Sequence, residues 1–330
     1  MKTIHIILIF LMTFLASCSK REKIKKSKTF IEFTTDVTIT AYIYEGEEDE
    51  VNIKFNESQK IMEYFNNEMS PELENSTLSK LNMNAKLGKI EVPASLKRIL
   101  KISHNLYKYT GKNFDVALAP VIKLWGFHSL SEPVLPNPIK LIDLLKVSSF
   151  DKIEYSIDSI FYSDSRCSID LGGIGKGYAV DSVANYLNEN GIKEFIVEAG
   201  GDLLVRSTSP KSIGIRHPRK HGALIDTLYV ADGAVATSGD YEKFFIQDST
   251  RYCHIIDPAT GYGVSDLMSV TIITKKAYLS DAFATAVFVM GKEEGQHFLM
   301  ENNLSGLLIY ADEKGILKKI GINLDKYKKH

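Results

Sequence analysis

Residues 194–207 read EFIVEAGGDLLVRS. Two runs rich in Ile, Val, Leu and Phe flank Gly200-Gly201, the composition of two strands joined by a tight glycine turn. Short strand-like runs recur around it: RCSIDL (166–171), SIGIRH (212–217), LIDTLYVA (224–231), FFIQ (244–247), YCHIID (252–257) and LMSVTIITK (267–275). Residues 29–44, TFIEFTTDVTITAYIY, read as one more strand. Strands joined by hairpins must pair antiparallel, whereas a doubly wound parallel sheet needs a helix between successive strands. Helical spacing falls irregularly among them. It covers 56–69, stopped by Pro71; 94–109, with Leu96, Ile99, Leu100, Leu106 and Tyr107 on one face, closed by Gly111; and a short helix ending near Lys146. Later helices are expected at 174–190, 281–290 and 293–303, with Ser280 as an N-cap and Gly291 as a C′ residue. The expected fold class is therefore α+β: mixed, largely antiparallel sheets with interspersed helices in a single mature domain, residues 29–330.

The N-terminus reads as an address. Residues 1–17, MKTIHIILIFLMTFLAS, have a basic start and an apolar run too short to span a bilayer comfortably, which predicts a signal peptide. The run ends Leu15-Ala16-Ser17-Cys18, which resembles a bacterial lipobox, so Cys18 is the expected lipidation site and cleavage is expected just before it. Residues 18–28 then read as a basic, solvated tether. The chain is expected to be exported and lipid-anchored to a bacterial membrane, facing the periplasm. Composition narrows the function classes. Across 330 residues, 40 Lys+Arg against 41 Asp+Glu give a net charge of −1, so no basic field argues for nucleic acid. Three cysteines exclude a disulfide scaffold or a Cys-rich zinc protein. Cys167 and Cys253 are read either as buried free thiols or as a disulfide pair.

Several motifs carry chemistry. DLGGIGKGY (170–178) runs from a strand through glycines into a helix. Glycines admit close approach and helix N-terminal amides favour anions, so this is either a phosphate cradle or a tight strand-to-helix turn. It matches neither G-x-G-x-x-G nor a P-loop, because Gly177 follows Lys176 where Ser or Thr would be needed. SDAFATA (280–286) puts Asp281 and Thr285 on one helix face, two hard oxygens that suit Mg²⁺ or, equally, a dipole-facing acid and a space-filling Thr. CHIIDPATG (253–261) offers His254, a side chain able to take a proton from a hydroxyl near neutral pH. Trp125, in TGKNFDVALAPVIKLWGFH (110–128), flanks a planar ligand or packs in the core.

Taken in order, TGxxFD…P…LWGF, DLGGIxKGYAVD, AGGD, ATSGDYE, HIIDPxTG and SDAxATA resemble the FAD:protein FMN transferase family, also called ApbE-like or thiamine-biosynthesis lipoproteins. The resemblance covers about residues 29–310 and implies a T-fold-like single domain. It implies FAD as substrate, Mg²⁺ as cofactor, and transfer of FMN to a Thr or Ser hydroxyl of an exported target protein, a membrane redox-complex subunit among the candidates, with release of AMP. It implies metal ligands at Gly173 (backbone carbonyl), Asp281 and Thr285. Flavin-nucleotide contacts are implied at Asn113, Phe114, Asp115, Asp170, Lys176 and Ile256, and a catalytic base at His254. An FAD pyrophosphatase at the same site and a non-catalytic flavin-binding lipoprotein are the alternatives. Two motifs depart from the family. Its early Met-Gly-Thr stands here as Phe33-Thr34-Thr35, and its Ser-x-Tyr as Ser70-Pro71-Glu72.

Overall fold

The computed structural model describes residues 22–84, 88–127 and 132–329; the predicted signal peptide, Cys18 and the first residues of the tether lie outside them. The frame is an eight-stranded sheet. In chain order its strands are β1 (Lys23–Glu32), β2 (Thr35–Tyr44), β6 (Phe195–Ala199), β7 (Asp202–Arg216), β8 (Leu224–Gly239), β11 (Ser269–Thr274), β12 (Ser305–Ala311) and β13 (Leu317–Ile322). Spatial order follows chain order, and each neighbouring pair is antiparallel. EFIVEAGGDLLVRS is the β6–β7 hairpin, with Ala199 opposite Asp202 and Phe195 opposite Arg206. Gly200 and Gly201 turn it at φ 59° and 95°, which L residues with side chains rarely adopt.

Alternation sends the strand side chains to two faces. On one face α1 (Glu48–Met69) and α6 (Gly175–Glu189) bury Phe55, Met62, Val183 and Leu187 against Val37, Ile39, Phe195 and Val197. On the same side α7 (Ala277–Glu301) buries Phe283, Val287 and Phe288 against Val270, Ile272 and Leu308. The other face packs Leu203, Val205, Ile213, Leu228, Val230 and Ile309 beneath Leu324 and Tyr327. The remaining helices are α2 (Thr77–Met83), α3 (Ala94–Tyr109), α4 (Ala119–Trp125) and α5 (Pro138–Leu145). Strands β3 (Lys89–Glu91), β4 (Ile153–Tyr155) and β5 (Ser159–Tyr162) make a small sheet in the order β3-β5-β4. A separate hairpin joins β9 (Phe244–Gln247) and β10 (Thr250–Cys253).

Several expectations are corrected. Residues 23–28 are not tether but the first part of β1, paired along their length with β2 from Tyr44 to Ile39. Glu194 binds Lys23 Nζ at 2.6 Å and helps fix that end. Lysines suit this strand because β1 lies at the sheet edge, where charge discourages further pairing. Residues 29–44 are correspondingly two strands turned at Phe33-Thr34, both at positive φ. Residues 166–171 join no strand: Ile169 N–H donates to Asn82 Oδ1 and Asp170 N–H to Val116 O, so their donors serve a side chain and a loop. The two runs at 202–207 and 212–217 form one bent strand, with the register broken between Arg206 and Lys211. Ser280 is not an N-cap; α7 begins at Ala277, and Ser280 Oγ reaches back to Ala234 O and the Thr274 N–H. Gly291 does interrupt the helix at φ 77°. Cys167 and Cys253 are buried free thiols, bonded to the carbonyls of Val147 and Val264. Among the described residues no helix is long and apolar enough to cross a membrane.

Candidate active site

The first turns of α6 and α7 cross at contact distance, and Gly177 makes the crossing possible. A Cβ built there would lie 2.6 Å from Ala277 O and 2.8 Å from Tyr278 Cα, so no side chain fits. Each helix caps the other. Asp281 Oδ2 on α7 accepts the Gly177 N–H at 3.1 Å, and Asp181 Oδ2 on α6 accepts the Tyr278 N–H at 3.0 Å. The two carboxylates take up N–H donors that the first turn of a helix leaves unbonded.

Beside this crossing opens a cavity of about 440 Å³. All ten mature-domain residues to which the resemblance gave a metal, ligand or catalytic role line it: Asn113, Phe114, Asp115, Asp170, Gly173, Lys176, His254, Ile256, Asp281 and Thr285. They come from four segments spread over more than 170 positions, and the fold brings them together. Trp125 is not among the lining residues; it is fully buried, donates from Nε1 to Gly261 O at 2.8 Å, and packs with Phe127, Phe245 and Tyr252. It is therefore core, and Phe127 and Ile256 carry that apolar cluster to the cavity wall.

At the crossing end the donors are hard oxygens. Asp281 is buried, and the Gly173 backbone lies against Thr285: a Cβ on Gly173 would sit 3.2 Å from Thr285 Oγ1. Thr285 Oγ1 is also 3.3 Å from Ser238 Oγ. Asp202, at the start of β7, joins the group with a side chain 4% exposed, and Lys176 Nζ stands 3.0 Å from its Oδ2. That Oδ2 is buried, with the Lys176 ammonium against it. Burial, then the negative charge of Asp202, push the Asp281 carboxyl up to about 7, while Lys176 pulls it back. Burial works against the Lys176 ammonium, but Asp202 and Asp281 outweigh it and hold the group above the ordinary lysine range.

Two buried carboxyl groups share one ammonium here. The cluster is short of positive charge and lined with oxygen, which fits a hard divalent cation. Among the described residues no three His, Cys, Asp or Glu side chains form a metal cage. A cation would thus rest on one carboxylate, a hydroxyl, a carbonyl and the oxygens of its ligand, the kind of site magnesium favours.

His254 lines the same cavity, just after β10. Its N–H donates to Lys243 O at 3.0 Å, and its Nδ1 lies 3.1 Å from the same carbonyl. A carbonyl only accepts, so Nδ1 carries the proton in that bond, and Nε2 is the basic nitrogen of the neutral ring. Phe127 packs edge-on to the imidazole at 6.3 Å. Lys243 also reaches across the rim to Glu72 Oε1 at 2.9 Å.

Asp115 and Asp170 line the wall but turn oxygens to backbone. Asp115 accepts from the Ala117 and Phe150 N–H groups, and burial raises its carboxyl to about 6 against those bonds. Asp170 accepts the Gly172 N–H at 2.6 Å and so shapes the glycine turn. Asn113 Nδ2 is bonded to Thr110 O. Asp202, Ser238, Glu242 and Lys243 line the cavity without having been singled out as site residues. Asp202 had a signal, a carboxylate directly after a Gly-Gly turn, and Ser238 and Glu242 lie in the ATSGDYE motif; Lys243 carries none that local sequence shows.

Known proteins agree with this architecture. The family model described as the ApbE family matches residues 33–308. A curated FAD:protein FMN transferase of Vibrio cholerae is 31% identical over 266 residues, covering 78% of this chain and 80% of its own. One of Haemophilus influenzae is 29% identical over 325 residues and 92% of both chains. Among solved structures, the flavin transferase ApbE of Vibrio cholerae superposes with a TM-score of 0.83 at 27% identity, covering 93% of this chain and all of that one. The ApbE protein of Thermotoga maritima gives 0.81 at 28%, covering 89% and 96%. With its fold, its cavity and most of its length matched, the chain belongs to the ApbE family and is a flavin transferase.

Proposed function

We propose that the chain is a Mg²⁺-dependent FAD:protein FMN transferase. It moves FMN from FAD to a Thr or Ser hydroxyl of an exported protein and releases AMP. The observation that carries this reading is the joining of a buried, cation-deficient oxygen cluster and a histidine with a basic Nε2 in one cavity. Asp281, Thr285 and the Gly173 carbonyl would hold the metal. Bound there, the metal supplies charge neutralisation to the diphosphate and to the departing AMP. Lys176 holds a non-bridging oxygen of the diphosphate as a point charge. The α6 N-terminal amides and the glycine turn let those oxygens approach the backbone. Ile256 and Phe114 exclude water from the apolar part of the ligand. His254 Nε2 takes the proton of the acceptor hydroxyl as its oxygen attacks the FMN-side phosphorus. Nδ1 stays anchored on Lys243 O, which keeps the ring in the tautomer the step needs.

The test incubates the mature protein with FAD, Mg²⁺ and a candidate acceptor. Covalent fluorescent flavin on the acceptor, with AMP in equal amount, is the expected result. Free FMN and AMP without labelling would make the protein a pyrophosphatase, and neither product a flavin binder.

We also propose that the mature protein is anchored through a lipid on Cys18 and faces the periplasm. The lipobox-like sequence supports this, as does the position of Cys18 five residues before β1. A Cys18→Ala variant that still fractionates with membranes would exclude the anchor.

A further inference from the structure

Lys176 does not project freely into the cavity. Its side chain is 27% exposed, and its ammonium stands 3.0 Å from Oδ2 of Asp202, whose side chain is 4% exposed. That oxygen is buried, and the lysine is its counter-charge. Asp281, buried beside them, spends Oδ2 on the Gly177 N–H. Two carboxyl groups and one ammonium thus share one desolvated pocket. Asp202 is fixed by the β6–β7 turn, Asp281 by the α6–α7 crossing, and Lys176 by neither except through its own helix.

We propose that Asp202 is a positioning residue that draws the Lys176 ammonium away from Asp281, leaving Asp281 open to the divalent cation while keeping Lys176 available to the diphosphate. This rests on the transferase reading for the identity of the diphosphate, but not for the behaviour of the charge cluster. The physical requirement is simple. An ammonium and a divalent cation that both settle on one carboxylate repel each other strongly at low dielectric. Asp202, with its Oδ2 3.0 Å from Lys176 Nζ, gives the ammonium its own partner. Without Asp202, Lys176 collapses onto Asp281 and competes with the metal. Without Lys176, two unscreened carboxylates face the site and draw the metal more tightly, while the diphosphate loses a contact.

The two residues therefore act with opposite signs on metal binding. Mn²⁺ alone, without FAD, is the probe, titrated into the mature protein and followed by its electron paramagnetic resonance signal. Lys176→Met is expected to tighten Mn²⁺ about tenfold and Asp202→Asn to weaken it about tenfold, each tenfold being about 1.4 kcal/mol. The double variant Lys176→Met/Asp202→Asn is expected to return near wild type, because removing the lysine removes the competitor that Asp202 restrains. FAD binding, measured separately by flavin fluorescence, should weaken in Lys176→Met even as Mn²⁺ tightens. A Lys176→Met protein with unchanged, weaker or undetectable Mn²⁺ binding overturns the proposal, and this variant decides the matter even if Asp202→Asn does not fold. So does an Asp202→Asn protein that folds and binds Mn²⁺ like wild type. If wild type binds Mn²⁺ as expected and the variants move as stated but no flavin is ever transferred, the charge device stands and the transferase reading falls.

Discussion

Asp281, Asp181 and Gly177 lock the α6–α7 crossing into the core, whereas His254 sits at the end of a two-stranded hairpin that belongs to no larger sheet. The crossing is held by buried reciprocal caps and by a backbone approach that admits no Cβ. The hairpin is held by aromatic packing of Phe245 and Tyr252 on Trp125 and by a rim ion pair between Lys243 and Glu72. The difference matches the two halves of the proposed chemistry. Phosphate and metal need fixed charges in a desolvated place, because preorganised electrostatics lose strength when the donors can relax. A base that must meet a protein acceptor needs access, which a half-buried position outside the main sheet provides. It follows that substitutions at the crossing act on ligand binding, and on fold stability as well where they disturb the backbone approach, while those at the hairpin change rate alone.

The strongest break in that comparison is Asp281→Ala. Turnover should fall to background, since Asp281 is the side-chain carboxylate assigned to the cation. The melting temperature should move by only a few degrees, because loss of the bond to Gly177 N–H, worth about 1–3 kcal/mol, is offset by relief of an unfavourable buried charge. Full Mg²⁺-dependent activity in the variant would remove Asp281 from the metal site. Next comes His254→Ala, with a rate loss of about 10²–10⁴ and near-normal FAD affinity and melting. A normal rate with a much weaker FAD affinity would instead put His254 in the binding wall.

Gly177→Ala probes the crossing itself. The added methyl meets backbone rather than a movable side-chain end, so the two helices must part, at a cost of about 3 kcal/mol. Melting by calorimetry should fall by several degrees, and FAD binding should weaken with it. A variant as stable as wild type would show that the crossing has slack, and the contrast with the hairpin would lose its basis.

Asp115 tests whether the cavity wall behaves like the crossing. Burial raises its carboxyl to about 6 in the folded protein, above the unfolded value of ~3.9. A raised acid favours the native state fully below pH ~4, and that stabilisation is lost as pH rises through about 6. Relative to Asp115→Asn, the wild type should therefore lose up to about 3 kcal/mol between those values and nothing more above them. Parallel pH–stability curves for the two proteins would place Asp115 in solvent-like surroundings.

The parts of this architecture that sequence displays are the local ones. Gly-rich turns, a D-x-x-x-T helix face and a histidine before Asp-Pro each lie within about ten residues, and each reached the cavity. The β6–β7 hairpin was legible for the same reason, two apolar runs flanking Gly-Gly. What escaped depends on partners far along the chain. Asp202 matters because Lys176 comes to it, and Lys243 because Glu72, 171 positions away, crosses the rim. Residues 23–28 read as a charge run because nothing local shows that β2 will pair with them; the lysines belong to an edge strand. Trp125 was ambiguous because an aromatic beside glycine looks alike in a ligand wall and in a core, and only the carbonyl of Gly261 decides between them.

The smallest expected effect concerns the β1–β2 turn, where the family's Met-Gly-Thr is replaced by Phe33-Thr34-Thr35. Phe33 and Thr34 take φ of 52° and 57° and both line the cavity. A two-residue hairpin turn demands left-handed residues, and a β-branched one is the least suited. The left-handed region costs an ordinary L residue about 1–2 kcal/mol. Thr34→Gly removes that strain but frees the unfolded chain, which returns about 0.4–1 kcal/mol of the gain. A net stabilisation near 0.5–1 kcal/mol is expected, a melting rise of a few degrees at most. The FAD affinity should change by less than about threefold, because the crossing and the hairpin, not this turn, hold the groups that meet the diphosphate and the acceptor. Loss of stability in Thr34→Gly would mean that the Thr34 side chain makes a compensating contact. Loss of FAD binding at unchanged stability would make the turn a further functional wall of the cavity, beside the crossing and the hairpin.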